Sequence, residues 1–167
     1  YEVGKNYGSY FKKDFIFQIG LTPNRGDCAS VKGIARELGA KLSKNLIKKK
    51  TLESNASFTS NIKWNLTELL NEKDCPPIMG REFRIEENSD SPLYLKNRLT
   101  EIGINPNSAL VDITNYILFD LGRPLHVFDL EKIEGDLKVR RAKKNESFIG
   151  LDKKKYSLTE KDLVISD

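Results

Sequence analysis

The sequence predicts an α+β fold, a mixed or antiparallel sheet with a few packed helices. Three observations carry that expectation: short runs in which apolar residues alternate with polar ones, two helical stripes at spacings of three and four, and glycine or proline punctuation between them. With 38% hydrophobic residues in a chain of 167 there is material for one domain of ordinary size, or one and part of a second.

Taken in order, the first thirteen residues are turn-rich, with Gly4, Asn6, Gly8 and Ser9 set among aromatics. Phe15, Phe17, Ile19 and Leu21 then alternate with Asp14, Gln18 and Gly20, the period of a half-buried strand. Thr22-Pro23-Asn24-Arg25-Gly26 turns the chain. Asp27 is placed to cap a helix whose inner face is Val31, Ile34, Ala35 and Leu38, with Gly39 as its stop. A glycine turn before a helix invites a phosphate-cradle reading, but neither GxGxxG nor GxxxxGK[ST] is present, so a structural turn tied by Asn24 and Arg25 is preferred.

Residues 41–61 form a polar, lysine-rich stretch centred on Lys48-Lys49-Lys50, read as a solvated linker that could also touch phosphates. Ile62, Trp64 and Leu66 alternate like a strand, and Trp64 is read as a packing residue rather than a base-stacking one. Cys75-Pro76-Pro77 breaks the chain before a further strand candidate over 78–86, containing Met79, Phe83 and Ile85. Cys28 and Cys75 have no CxxC spacing and no paired histidines, which predicts free thiols and no metal site.

From Ser91 the helical signals are strong. Ser91 suits an N-cap and Pro92 the next position, Leu95, Leu99 and Ile102 recur at helical spacing, and Gly103 ends the run. After Asn105-Pro106 a second stripe passes through Leu110, Ile113, Ile117 and Leu121 to Gly122. Asp112, Thr114 and Asn115 sit among its apolar residues, either as structural polar anchors or as ligand contacts. In Gly122-Arg123-Pro124-Leu125-His126 the proline blocks helix continuation, so the chain's single histidine is expected on a rigid extended segment suited to a pocket wall. Beyond it, Leu137 and Val139 predict a strand with one solvated face. Ser147–Ile149 and Lys155–Leu158 predict a hairpin, and Leu163–Ile165 a last strand. Ending at Asp167 straight after that strand leads us to expect that the C-terminal part of the fold is truncated.

The charge, 28 basic against 24 acidic residues and +4 net, is compatible with RNA contact without demanding it. No apolar run approaches the ~18 residues of a membrane-spanning helix, and the N-terminus has no signal-peptide pattern, so a soluble, cytoplasmic chain with no membrane partner is expected. A hydrolase reading takes His126 as general base, oriented by Asp129 or Asp112. It lacks a nucleophile motif such as GxSxG and a second histidine to share a metal.

The run VDITNY at 111–116, its spacing to GRPLHVFD at 122–129 and the preceding SPLYLKNRL resemble the editing domain of the bacterial phenylalanyl-tRNA synthetase beta subunit. LTPNRGDCASVKGIARELGA at 21–40 is similar to that family's segment leading toward the editing domain, an architectural piece. The resemblance implies three parts: a strand-turn-helix remnant of the N-terminal core module over 1–45, a linker and entry strand over 46–77, and a partial editing domain over 78–167. It implies a parent enzyme of two alpha and two beta chains, in which the alpha subunit charges phenylalanine tRNA with ATP and magnesium. The beta subunit would hydrolyse tyrosine wrongly attached to that tRNA. No cofactor is implied for the present chain, which has no ATP-binding motif.

The resemblance places the family's editing-pocket histidine on His126 and its Thr-Asn pair on Thr114 and Asn115. At Asn105 many members carry an arginine, so a tRNA-end contact there is altered in this chain. The glycine-rich segment, the glutamate that recognises the tyrosine hydroxyl and later small residues would lie beyond Asp167, so the isolated chain is expected to edit poorly or not at all. A non-catalytic scaffold or tRNA-contacting module is the alternative.

Overall fold

A computed structural model describes residues 3–4, 6, 15–47, 54–66, 75, 78–150 and 153–167. Most of the turn-rich start, the Lys48-Lys49-Lys50 centre of the linker, Pro76-Pro77 and the hairpin tip at Leu151-Asp152 lie outside the described residues. The fold is mixed α+β, as expected, and its residues group into two compact units: 1–50 with 86–127, and 51–85 with 128–167.

The first unit is helical. A 3-10 turn over Gly26–Cys28 leads into α1, Val31–Leu42. The cap is Ser30 rather than Asp27: its Oγ accepts the Gly33 N–H at 2.9 Å, while the Asp27 carboxylate is drawn to Arg25 and Arg36. Gly39 does not stop α1. It stays helical because the chain returns so closely that a Cβ there would stand 2.9 Å from the Lys44 carbonyl oxygen, and Ser43, left-handed at φ 51°, ends the helix instead. Nor does the apolar stripe make the tight contact. Val31 and Leu38 are exposed and Gly33 is the buried residue, since a Cβ there would overlap the Asp27 carbonyl and come within 2.8 Å of Cys28 Cα.

Helix α2, Leu93–Glu101, buries Leu95 and Leu99 but leaves Ile102 half-exposed at its end, where Gly103 turns left-handed. Its cap is Pro92. Ser91 makes no capping bond because its hydroxyl is used elsewhere. Helix α3, Ala109–Leu121, packs against both α1 and α2 and stops at Gly122 in the left-handed region, φ 70°. Of the expected stripe, Leu110 and Ile117 are half-buried whereas Ile113 and Leu121 remain exposed; the residue that α3 buries completely is Asp112. Residues 15–21, expected as a strand, form none. Alternation describes which side chains want burial but supplies no hydrogen-bonding neighbour, and Phe17 stays 80% exposed.

The second unit is built on strands. β1, Trp64–Asn65, is shorter than the alternation predicted; β2 is Leu137–Arg141, β3 Ser147–Ile149, β4 Lys155–Ser157 and β5 Leu163–Ser166. A mixed three-stranded sheet has the order β1-β2-β5, β1 parallel to β2 with Trp64 opposite Leu137, and β2 antiparallel to β5 with Val139 opposite Ile165. Leu137, Val139 and Ala142 form its buried side. The expected hairpin is β3–β4, in which Phe148 faces Tyr156 and their rings stack at 5.3 Å. Residues 78–86 form no strand either; they pass Trp64 closely enough that a Cβ on Gly80 would lie 2.9 Å from the indole nitrogen. Trp64 is therefore a packing residue.

Candidate functional site

Helix α3 and the segment after it carry three of the four residues singled out by the sequence. Thr114 and Asn115 sit half-buried in the middle of α3, and the Thr114 hydroxyl donates to the Val111 carbonyl oxygen at 2.7 Å, a local back-bond that leaves its lone pairs to accept. His126 lies on the irregular, non-helical segment after Gly122, as Pro124 led us to expect, and it is exposed. Asn105 is exposed in the connection between α2 and α3. Along the chain, Asn105 thus precedes a helix about 20 Å long and His126 follows it.

Asp112 resolves as an anchor. Its carboxylate is fully buried and takes two hydrogen bonds, from the Ser91 hydroxyl at 2.5 Å and from the Asn107 N–H at 2.8 Å. One side chain of α3 therefore ties down the entry to α2 and the connection between the two helices, with the short, charge-assisted geometry of a strong bond. Asn88 adds a weaker brace, accepting the Leu110 N–H and donating to Ser108 Oγ. The other carboxylate considered for orienting His126, Asp129, caps a 3-10 turn at Leu130–Lys132 by accepting the Glu131 N–H and pairs with Lys132.

Two ion-pair groups went unread in the sequence. Around the start of α1, Asp27, Cys28 and Glu37 bring their ligand atoms within 4.8 Å of one another, a donor set that could hold a metal ion. Arg25 already occupies it, bonding Asp27 at 3.0 Å, Cys28 Sγ at 2.8 Å and Glu37 at 2.8 Å, and Arg36 pairs with the same two carboxylates. The hydrogen bond from Arg25 holds the Asp27 carboxyl below the usual range. In the second unit Arg140 grips Glu146 through two parallel bonds of 2.8 and 2.9 Å, and the Lys143 N–H adds a third at 2.6 Å. Those bonds, Arg140 first, lower the Glu146 carboxyl to about 2. Residue type alone signalled charges at these positions; their partners depend on the turns that bring them together.

Among the described residues, a concavity lies in each unit. In the second, segments 54–60 and 80–84 enclose about 540 Å³, with Arg84 over the Phe58 ring at 5.1 Å and Arg81 bonded to Ser54. In the first, about 240 Å³ lies where the start of α1 meets the end of α3. Neither is lined by His126, Thr114, Asn115 or Asn105. No helix among the described residues is long and apolar enough to cross a membrane.

Comparison with known proteins gives a consistent picture. Residues 74–167 match the family profile of the B3/4 domain. The chain is 42% identical over 166 residues to a phenylalanine–tRNA ligase beta subunit of Gluconobacter oxydans and 43% identical over 166 residues to one of Paramagnetospirillum magneticum, covering 99% of this chain in both cases. It is 44% identical over 154 residues, 92% of this chain, to one of Bartonella quintana. It spans 20%, 21% and 19% of those relatives, about a fifth of their length. Matched by the B3/4 profile over more than half its length, the chain belongs to the B3/4 domain family.

Proposed function

We propose that this chain contributes part of the site at which a phenylalanine–tRNA ligase hydrolyses tyrosine wrongly joined to phenylalanine tRNA. The observation that carries this reading is the VDITNY and GRPLHVFD pair inside the matched B3/4 region, with Thr114 and Asn115 on α3 and His126 exposed on the segment directly after its glycine stop. The need for such a site follows from physics, because a pocket shaped for an aromatic ring rejects an added hydroxyl only modestly. In this reading His126 holds the acylated tRNA end or the attacking water, and Thr114 and Asn115 offer hydrogen bonds to the ribose or the ester. Residues 78–167 are the partial editing domain, 1–45 the core remnant and 46–77 the link between them. The partners are phenylalanine tRNA and an alpha subunit, two of each chain in the parent enzyme, in the cytoplasm. ATP and magnesium serve the charging step in the alpha subunit.

A second reading, a tRNA-contacting scaffold without catalysis, is favoured by one observation: His126, Thr114, Asn115 and Asn105 line neither concavity described above. Release of tyrosine from mischarged phenylalanine tRNA separates the two. The measurement compares this chain, a form extended to the relatives' full length, and the extended form with His126→Ala. Activity confined to the extended wild type is expected. Full activity in His126→Ala would remove His126 from the site, and inactivity of a folded extended wild type would favour the scaffold.

A further inference from the structure

We propose that the concavity between the start of α1 and the end of α3 binds a phosphodiester of a nucleic-acid strand. Lys32, Arg36 and Arg123 line it together with Ser30, Gly33 and Leu121. Asp27 is the one carboxylate on the wall, so three cations face one anion and leave two positive charges. Arg36 is committed to Asp27 and Glu37, whose remaining charge Arg25 offsets. Lys32 and Arg123 have no carboxylate partner among the described residues.

The arrangement is built by the backbone. Gly122 is left-handed, and a Cβ there would stand 3.3 Å from the Ser30 Cβ, so α3 ends directly against the cap of α1 and the next residue, Arg123, is delivered to the rim. Gly33, close against the Asp27 carbonyl and Cys28, is among the lining residues. Ser30 Oγ accepts the Gly33 N–H, leaving its own proton to donate to an oxygen in the concavity. The ligand set is therefore a guanidinium fork, an ammonium and a hydroxyl, the donors that a phosphate oxygen group takes.

The commitment to a diester follows from exposure. The lining cations reach solvent, where a single free anion would be screened, whereas a strand binds through several phosphates at once and gains by releasing counterions. The inference does not depend on the editing reading, because it uses none of its residues.

The test is fluorescence anisotropy of a labelled single-stranded oligoadenylate ten nucleotides long with the 167-residue chain, over about 50–200 mM salt. Arg123→Gln and Lys32→Gln should each weaken binding about fivefold at ~0.1 M salt and reduce the salt slope by roughly 0.7, the value for one lost single-strand phosphate contact. Arg123→Lys should retain the slope. Lys144→Gln, an equal charge loss in the other unit, should leave the affinity within about twofold if the concavity carries the contact. Three results would overturn the proposal: no binding by the wild-type chain, an equal loss in Lys144→Gln, or an unchanged slope in Arg123→Gln. Displacement of the oligonucleotide by inorganic phosphate, beyond that by chloride of equal ionic strength, would assign the concavity to the free ion and overturn the diester assignment.

Discussion

Removing the Ser91 hydroxyl should unfasten the helices of the first unit. In Ser91→Ala the buried Asp112 carboxylate loses its 2.5 Å donor and keeps only the Asn107 N–H. A hydrogen bond to a charged group contributes about 1.5–3 kcal/mol. Asp112→Ala removes both bonds and strands a buried hydroxyl and a backbone N–H, for about 3–5 kcal/mol. Asp112→Asn should cost less than either, because a serine hydroxyl can turn to accept from the new amide. The α-helices of the described residues, α1 to α3, belong to this unit, so far-UV circular dichroism during urea unfolding reports on it. With a typical urea dependence, Ser91→Ala should lower the midpoint by about 1 M. In the Asp112→Ala background the same change should cost only about 0.5 kcal/mol or less, since its partner is gone. A Ser91→Ala effect below about 0.5 kcal/mol, or strict additivity of the two substitutions, would refute the account of Asp112 as the tether.

Two further outcomes follow from the packing and the charges. Gly33→Ala should destabilise α1 by about 1–3 kcal/mol although alanine favours helices by nearly 1 kcal/mol, because its methyl has no space against Asp27 and Cys28; a gain in melting temperature would show that the 3-10 turn yields. The Glu146 carboxyl stands at about 2 against an ordinary 4.5, so its contribution is fully present above the ordinary value and drains away as pH falls toward 2; Trp64 fluorescence, which reports the second unit, should show this acid slope flattened in Glu146→Gln.

How much could be read from the sequence varied with how local the cause was. The positions of α2, α3, β2, the β3–β4 hairpin and β5 were legible because each is written within its own window: Leu95 and Leu99 at helical spacing, Leu137 and Val139 at period two, Gly122 at a helix end. Ser91 was misread as a cap because its true partner lies 21 residues downstream, beyond any local pattern. The same holds for α1, where a serine three residues past Asp27 caps and a glycine rather than a leucine makes the close contact. Phe15 to Leu21 and residues 78–86 showed the alternation of strands without becoming strands, since a side-chain period names a face and not a neighbour. Of the candidate site, the sequence placed Thr114 and Asn115 on a helix and His126 on a non-helical segment past it, as found, but the pocket wall expected around His126 is not seen: the residue is exposed and lines neither concavity. It could not decide between anchor and ligand for Asp112, because that depends on what the folded chain brings to its two oxygens.

The parallel pairing of β1 with β2 has a consequence for how the protein is made. Trp64 pairs opposite Leu137, and between them in the chain lie α2 and α3, which belong to the other unit. The first unit is likewise split around the stretch that carries β1. On a ribosome adding about 5–20 residues per second, β1 would wait roughly 4–15 s for its sheet partner to be synthesised. During that interval the helices of residues 86–127 can find α1 and close their own unit, while Trp64 has no strand to join. The order of assembly is thus set by interleaving: the helical unit can complete first, and the sheet must then be closed across a loop whose ends an already folded body has helped to restrain.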